Sequence, residues 1–189
     1  MTQAVMTDLL AYNFNFDTTD TPLHHSFMHD LAREGDLLSA EIVFDVGGAI
    51  DLPNDEGRRP LHEAAFFGHI DMVRFLIEHG ADIHAPIHPF GHTALYLAVQ
   101  QSHYEIVQFL IKSGARLDVR DVLMGTGLLH IAAAKHDMRM VGILIAAGAS
   151  VFHENKKGQT ARDLAASKGH RALEKTLLTV MEHHAKYVS

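Results

Sequence analysis

Apolar residues recur along most of this chain at helical spacing, in short runs closed by glycine. Residues 59–84 show the pattern most clearly. Leu61, Ala64 and Ala65 fall at i, i+3 and i+4, one narrow helical face. Pro60 suits the first helical turn, where its missing N–H is not needed. Gly68 can take the positive φ of a helix exit. Ile70, Val73, Leu76 and Ile77 then form a second stripe, which Gly80 stops. The pattern predicts helix, helix, turn. Each such hairpin has more apolar face than it can cover alone, so it must lean on a neighbour.

Neighbours exist, because the pattern repeats. Met28-His29, Leu61-His62, Leu95-Tyr96, Leu129-His130 and Arg162-Asp163 are spaced by 33 or 34 residues. The pairs Gly47-Gly48, Gly80-Ala81, Gly114-Ala115 and Gly148-Ala149 keep step, as do the loop glycines Gly57, Gly91, Gly125 and Gly158. A fixed period of this length predicts stacked supersecondary units in an all-α solenoid. Two spacings of 34 place an extra residue in the loops at 85–92 and 118–125. Ahead of the repeats, Val5, Leu9 and Tyr12 are spaced for successive helical turns. Residues 1–25 are therefore either a capping helix or a loose extension.

The 189 residues are 47% apolar and 21% charged, enough to bury a core and unlike a disordered composition. The absence of cysteine excludes disulfides, thiolate zinc sites and a cysteine nucleophile. It fits a reducing compartment, and a cytoplasmic location is expected. No apolar run approaches the length of a membrane span. The first residues, MTQAVMTDLLAYNFNFD, have neither a basic start nor a continuous apolar stretch, so no cleavable secretory signal is expected. The net charge of −7 is uneven. Residues 1–57 hold 11 acidic residues against Arg33 alone, while residues 58–189 hold 12 acidic and 15 basic residues. An acidic end can steer a basic partner, or can simply be solvated surface. Neither part is basic enough to imply nucleic acid.

The segment RRPLHEAAFFGHIDMVRFLIEHGADIHA resembles an ankyrin repeat nearly end to end, through its Pro-Leu-His, Gly-His and Gly-Ala-Asp landmarks. The resemblance covers residues 26–182 and divides them into about five repeats: 26–58, 59–92, 93–126, 127–159 and 160–182. It implies helix–turn–helix repeats joined by short β-hairpin-like finger loops, a C-terminal tail at 183–189, and degenerate first and last repeats that act as caps. There are departures. The family's opening threonine and histidine normally hydrogen-bond and tie adjacent turns. Arg59 and Gly127 replace the threonine, Tyr96 replaces the histidine after Thr93, and only Ser26 with His29 could reproduce the pair. A lost neutral hydrogen bond costs about 0.5–1.5 kcal/mol, so a less rigid stack is expected.

Sixteen histidines invite a metal hypothesis. His29, His62 and His130, with His69, His103 and His170, occupy repeat slots and form ladders that need not converge. His84, His88 and His92 share one finger, yet a polar loop seldom holds three ligands at about 2 Å in fixed geometry. No metal is expected. HEAAF at 62–66 lacks the second histidine of a zinc protease helix, since Phe66 stands there. GTGLLH at 125–130 lacks a preceding strand and is explained by the repeat. No catalytic residue, enzyme activity or cofactor is implied.

What remains is surface. The resemblance implies a concave face, made of finger tips and the exposed side of each first helix, that binds a partner protein. On this chain it carries Asp55, Glu56, Arg58, Phe66, Phe67, Phe90, His92, Gln100, Gln101, Leu123, Met124 and Lys135. Exposed aromatic and methionine side chains mark interfaces. Phe66 or Phe67 either docks a partner or packs on the neighbouring repeat. The reading is a non-enzymatic interaction module, monomeric when free. A second class stays open: a stand-alone regulatory inhibitor, similar to inhibitors of Rel-type transcription factors (NF-κB) or of kinases. Such a blocker could come from a virus or bacterium and act in a host cell's cytoplasm or nucleus.

Overall fold

A computed structural model describes residues 23–187, with side chains from Phe27 to Ala185. The proposed capping helix at 1–25 therefore lies almost wholly outside the described residues. So does the Ser26 side chain. Ten helices follow among the described residues: α1 (Leu23–Glu34), α2 (Leu37–Asp45), α3 (Pro60–Phe67), α4 (Ile70–Glu78), α5 (Ala94–Gln101), α6 (Tyr104–Lys112), α7 (Leu128–Ala134), α8 (Met138–Ala146), α9 (Ala161–Ser167) and α10 (Arg171–Tyr187). They pair as hairpins, one per repeat. The last helix runs through Tyr187, beyond the boundary at 182 placed from the sequence.

Odd-numbered helices form an inner row, in which α1 packs on α3, α3 on α5, α5 on α7 and α7 on α9. Alanines make this possible. Ala64, Ala65, Ala98, Ala132, Ala133 and Ala165 are fully buried, and their small side chains let helix axes approach closely. The second helices form an outer row. Their stripes Met72–Val73–Leu76, Ile106–Val107–Leu110 and Met140–Val141–Leu144 fill the space behind the inner row. Successive repeats thereby share one continuous core. Polar helix starts are capped where the residue allows it: Asp36, Thr93, Asp137 and Thr160 each accept a backbone N–H from the first turn.

The fingers are short. Among the described residues they hold no strand, only isolated antiparallel bridges at Ile87–His92 and Arg120–Gly127. Asn54 and Asn155 fold the first and fourth fingers by accepting two backbone N–H groups each.

The expected loss of inter-turn ties is corrected by the histidine rings. His62 Nδ1 accepts the Arg59 N–H at 2.9 Å, and its Nε2–H donates to the Ala85 carbonyl at 2.9 Å. His130 does the same between the Gly127 N–H and the Gln159 carbonyl. Each ring thus bridges its own helix start to the finger leading into the next repeat, and no threonine is required. His29 Nε2–H reaches the Arg58 carbonyl in the same way. Burial pushes the His62 imidazole down to about 4 and lowers His130 as well, which keeps both rings neutral and able to accept. Among the described residues, no helix is long and apolar enough to cross a membrane.

Candidate functional site

From the second finger to the fourth the tips form a continuous rim, because adjacent tips are joined by backbone hydrogen bonds. Val122 N–H donates to the Phe90 carbonyl and Lys156 N–H to the Met124 carbonyl, both at 2.9 Å. On this rim Phe90 is 42% exposed, Val122 52%, Leu123 60% and Met124 45%. Val122 was missed by sequence reasoning. Only its place one residue before Leu123, in a finger with an extra residue, could have signalled it. Phe67, at the end of α3, is 45% exposed. Gln100 and Gln101 at the end of α5 are exposed too.

The two phenylalanines of α3 separate in role. Phe66 is half-buried, with the Arg58 guanidinium 5.5 Å from its ring centroid and the Phe67 ring edge-on at 5.1 Å. Phe67 stands beyond it, in water. Arg58 is itself committed: it donates to both oxygens of Glu63, at 2.6 and 3.4 Å, and Glu63 is buried.

His92 also turns inward. Its ring stacks on Tyr96 at 4.1 Å and 7°, and its Nε2–H donates to Asp121 at 2.9 Å. The other oxygen of Asp121 accepts the Met124 N–H. Burial pulls the Asp121 carboxyl upward, but the bonds from Met124 and His92 outweigh it and hold the group below the usual range. Burial pushes the Tyr96 phenol up to about 12. This pair ties the second finger to the third in the one internal repeat without the motif histidine. Lys135 is likewise engaged, donating to the Gln100 carbonyl at 2.7 Å and the Ser102 hydroxyl at 2.9 Å.

Asp55 and Glu56 are exposed on the first finger, Lys156 and Lys157 on the fourth. The rim is therefore apolar in the middle, acidic at one end and basic at the other. Lys156 is held by the Val122 carbonyl at 2.6 Å. Among the described residues, no group of three or more metal-ligating side chains is placed around one point.

This architecture is that of a helical repeat stack, and the comparisons with known proteins agree. A family model for ankyrin repeats, in three copies, matches residues 28–121. The chain belongs to the ankyrin-repeat family. It is 33% identical to the NF-kappa-B inhibitor cactus of Drosophila yakuba over 81 residues, 42% of this chain and 17% of that protein. It is 35% identical to a putative ankyrin repeat protein of fowlpox virus over 79 residues, 41% of this chain and 19% of the viral protein. It is 34% identical to the nuclear factor NF-kappa-B p105 subunit of Gallus gallus over 100 residues, 51% of this chain and 10% of that subunit. The matched stretch spans less than a fifth of each relative.

Proposed function

We propose that this chain is a non-enzymatic module that binds a partner protein along its finger rim and the exposed ends of its inner helices. The observation that carries the reading is the apolar row Phe67, Phe90, Leu123 and Met124, left in water although the core behind it is complete. Apolar area of this kind is worth about 25 cal/mol per Å² once covered. The acidic first finger and basic fourth finger would set the partner's direction more than its affinity. Within the site, Phe67, Phe90, Leu123 and Met124 supply contact area. Asp55 and Glu56 select charge, Gln100 and Gln101 offer hydrogen bonds, and Arg58, Phe66, His92 and Lys135 hold the surface in shape.

Site-specific photocrosslinking tests this. A photoreactive residue at position 67 or 123 should trap a protein in cells, and one at Gln108 on the outer row should not. Equal trapping at all three positions would remove the rim from consideration.

A second reading makes the module an inhibitor of a Rel-type transcription factor. It is favoured by similarity to cactus and to the p105 subunit. Purified chain would then release a labelled DNA duplex from a Rel-family dimer in an anisotropy titration. An unchanged anisotropy would leave only the general module.

A further inference from the structure

The outer row carries a second, separate feature. Between α2 and α4 lies an open groove of about 470 Å³. Its walls include Phe44, Phe75 and His79, whose rings form one cluster with centroids 4.4–5.9 Å apart. Phe75 is largely covered, Phe44 half-buried and His79 exposed. His79 Nδ1–H donates to the Phe75 carbonyl at 2.7 Å, which leaves Nε2 as an acceptor. Glu41 and Asp45 from α2 face this groove together with Asp71, Arg74 and Glu78 from α4, four carboxylates against one guanidinium. All four carboxylates are exposed, and none has an ion-pair partner among the described residues.

The neighbouring joint offers a direct comparison. Helices α2, α4 and α6 align from their first residues, Leu37, Ile70 and Tyr104. At the α4–α6 joint, Arg74 lies over the Phe109 ring at 4.6 Å, with Glu105 3.9 Å away. One joint further the aligned places hold Gln108 and Ile143, and Arg139 of α8 instead reaches back over Tyr104 of α6 at 4.3 Å. One joint earlier, Phe75 takes the place of Phe109 and Asp71 the place of Glu105. The place of Arg74, however, is taken by Glu41. The α2–α4 joint keeps the aromatic and the carboxylate, loses the cation, and gains a further negative charge. The first joint thus sets an aromatic cluster and four carboxylates against a single lining cation, Arg74, which is engaged over Phe109 and beside Glu105 at the next joint.

We propose that the groove between α2 and α4 is a docking site for an arginine-bearing segment of a partner protein. The guanidinium lies against the Phe44–Phe75–His79 cluster, where its planar face suits aromatic contact. Its N–H groups meet Glu41 and Asp71 from the two walls, with Asp45 and Glu78 beside them. Lysine fits less well, since its ammonium is compact, strongly hydrated and cannot stack. The site is on the outer row and does not depend on the finger-rim reading.

The test uses the full chain and a defined probe, the peptide acetyl-Gly-Arg-Gly-Arg-Gly-amide, followed by amide proton and nitrogen shifts. The expected result is saturable shifts confined to α2 and α4, absent with the uncharged citrulline analogue and weaker with lysine. Glu41→Arg installs the residue type that the next repeat carries. It should weaken the peptide by about ten-fold or more, from the loss of stacking and charge contacts together. Glu56→Arg makes the same charge change on the first finger and should alter binding by no more than about two-fold. Asp71→Asn is a second groove variant and should fall between them. Leu123→Asp should leave the peptide untouched while abolishing crosslinking at the rim, so the two sites fail separately. Shifts spread over the whole acidic surface, or equal loss in Glu41→Arg and Glu56→Arg, overturn the assignment, as does the absence of binding.

Discussion

The imidazole of His103 occupies the space that a side chain at Gly68 would need. A β-carbon on Gly68 would fall 2.7 Å from His103 Cε1, and the same ring donates through Nε2–H to the Phe66 carbonyl at 2.9 Å. The relationship recurs: His69 sits over Gly35 and donates to the Arg33 carbonyl at 2.8 Å. These histidines satisfy the orphan carbonyls at the end of the preceding inner helix. Where Asp137 stands in place of the histidine, position 102 holds serine, and the aspartate takes the Tyr104 hydroxyl instead.

Two alanine substitutions separate backbone strain from this contact. Gly68 and Gly80 both have positive φ, +92° and +93°, but nothing lies within 4 Å of a β-carbon at Gly80. Gly80→Ala should therefore cost only the strain, about 1–2 kcal/mol. Gly68→Ala should cost more, because the His103 ring must leave and the Phe66 carbonyl loses its donor. Adding His103→Ala to Gly68→Ala should restore part of that difference. Urea unfolding of the three variants beside the parent chain checks the order, and equal costs for the two glycines would show that the ring gives way freely.

Acid should weaken the stack early. His62 titrates near 6.5 when unfolded and at about 4 when folded, so between these values the unfolded chain binds more protons. The His62 contribution is fully present above pH 6.5, falls with pH through the window, and is lost at pH 4. It amounts to about 3 kcal/mol, at no more than about 1.4 kcal/mol per pH unit. His130 acts in the same direction. Stability measured by urea from pH 7.5 to 4 should fall as stated. His62→Gln should be less stable at pH 7.5 but flatter with pH. An unchanged slope in that variant would show that His62 is not the group responsible.

The exposed and half-buried phenylalanines should part company in stability. Phe67→Ala with Phe90→Ala should leave helicity and the urea midpoint nearly unchanged while reducing crosslinking from position 123. Phe66→Ala should lower stability by about 1–2 kcal/mol, because it loses partial burial and the Arg58 cation–π contact. Circular dichroism and urea titration distinguish them, and a stable Phe66→Ala would return that residue to the docking surface.

These distinctions mark how far the residues alone could be read. The repeat was legible because Leu61, Ala64, Ala65 and their counterparts follow a local period that backbone geometry obeys directly. The exposed tip at Leu123 and Met124 was legible because nothing in its own hairpin could cover it. Phe66 and Phe67 were not separable, since their difference comes from Arg58, a side chain reaching in from the first finger. Likewise, His92 read as free because Asp121, which fixes it, lies in the following finger. The ties made by His62 and His130 were missed because the family pattern directed attention to the threonine. Both nitrogens of one ring serve instead.

Arg58 and Glu63 form the most committed ion pair in the stack, and its two halves should respond unequally. The Glu63 side chain is only 3% exposed, the Arg58 side chain 22%, and Arg33 stands off at 3.7 Å from the carboxylate. Arg58→Met leaves a buried carboxylate with one distant, exposed partner. It should cost about 3 kcal/mol, the scale for breaking a buried pair. Glu63→Gln keeps hydrogen-bonding capacity and frees an arginine that can reach water, so it should cost less. Replacing both, as Arg58→Met with Glu63→Leu, should recover most of the loss, because neither charge is then buried alone. A double-mutant cycle by urea unfolding measures the coupling. Strict additivity would mean that the pair is screened by water, and that Arg58 is free to leave Glu63 for a partner at the rim.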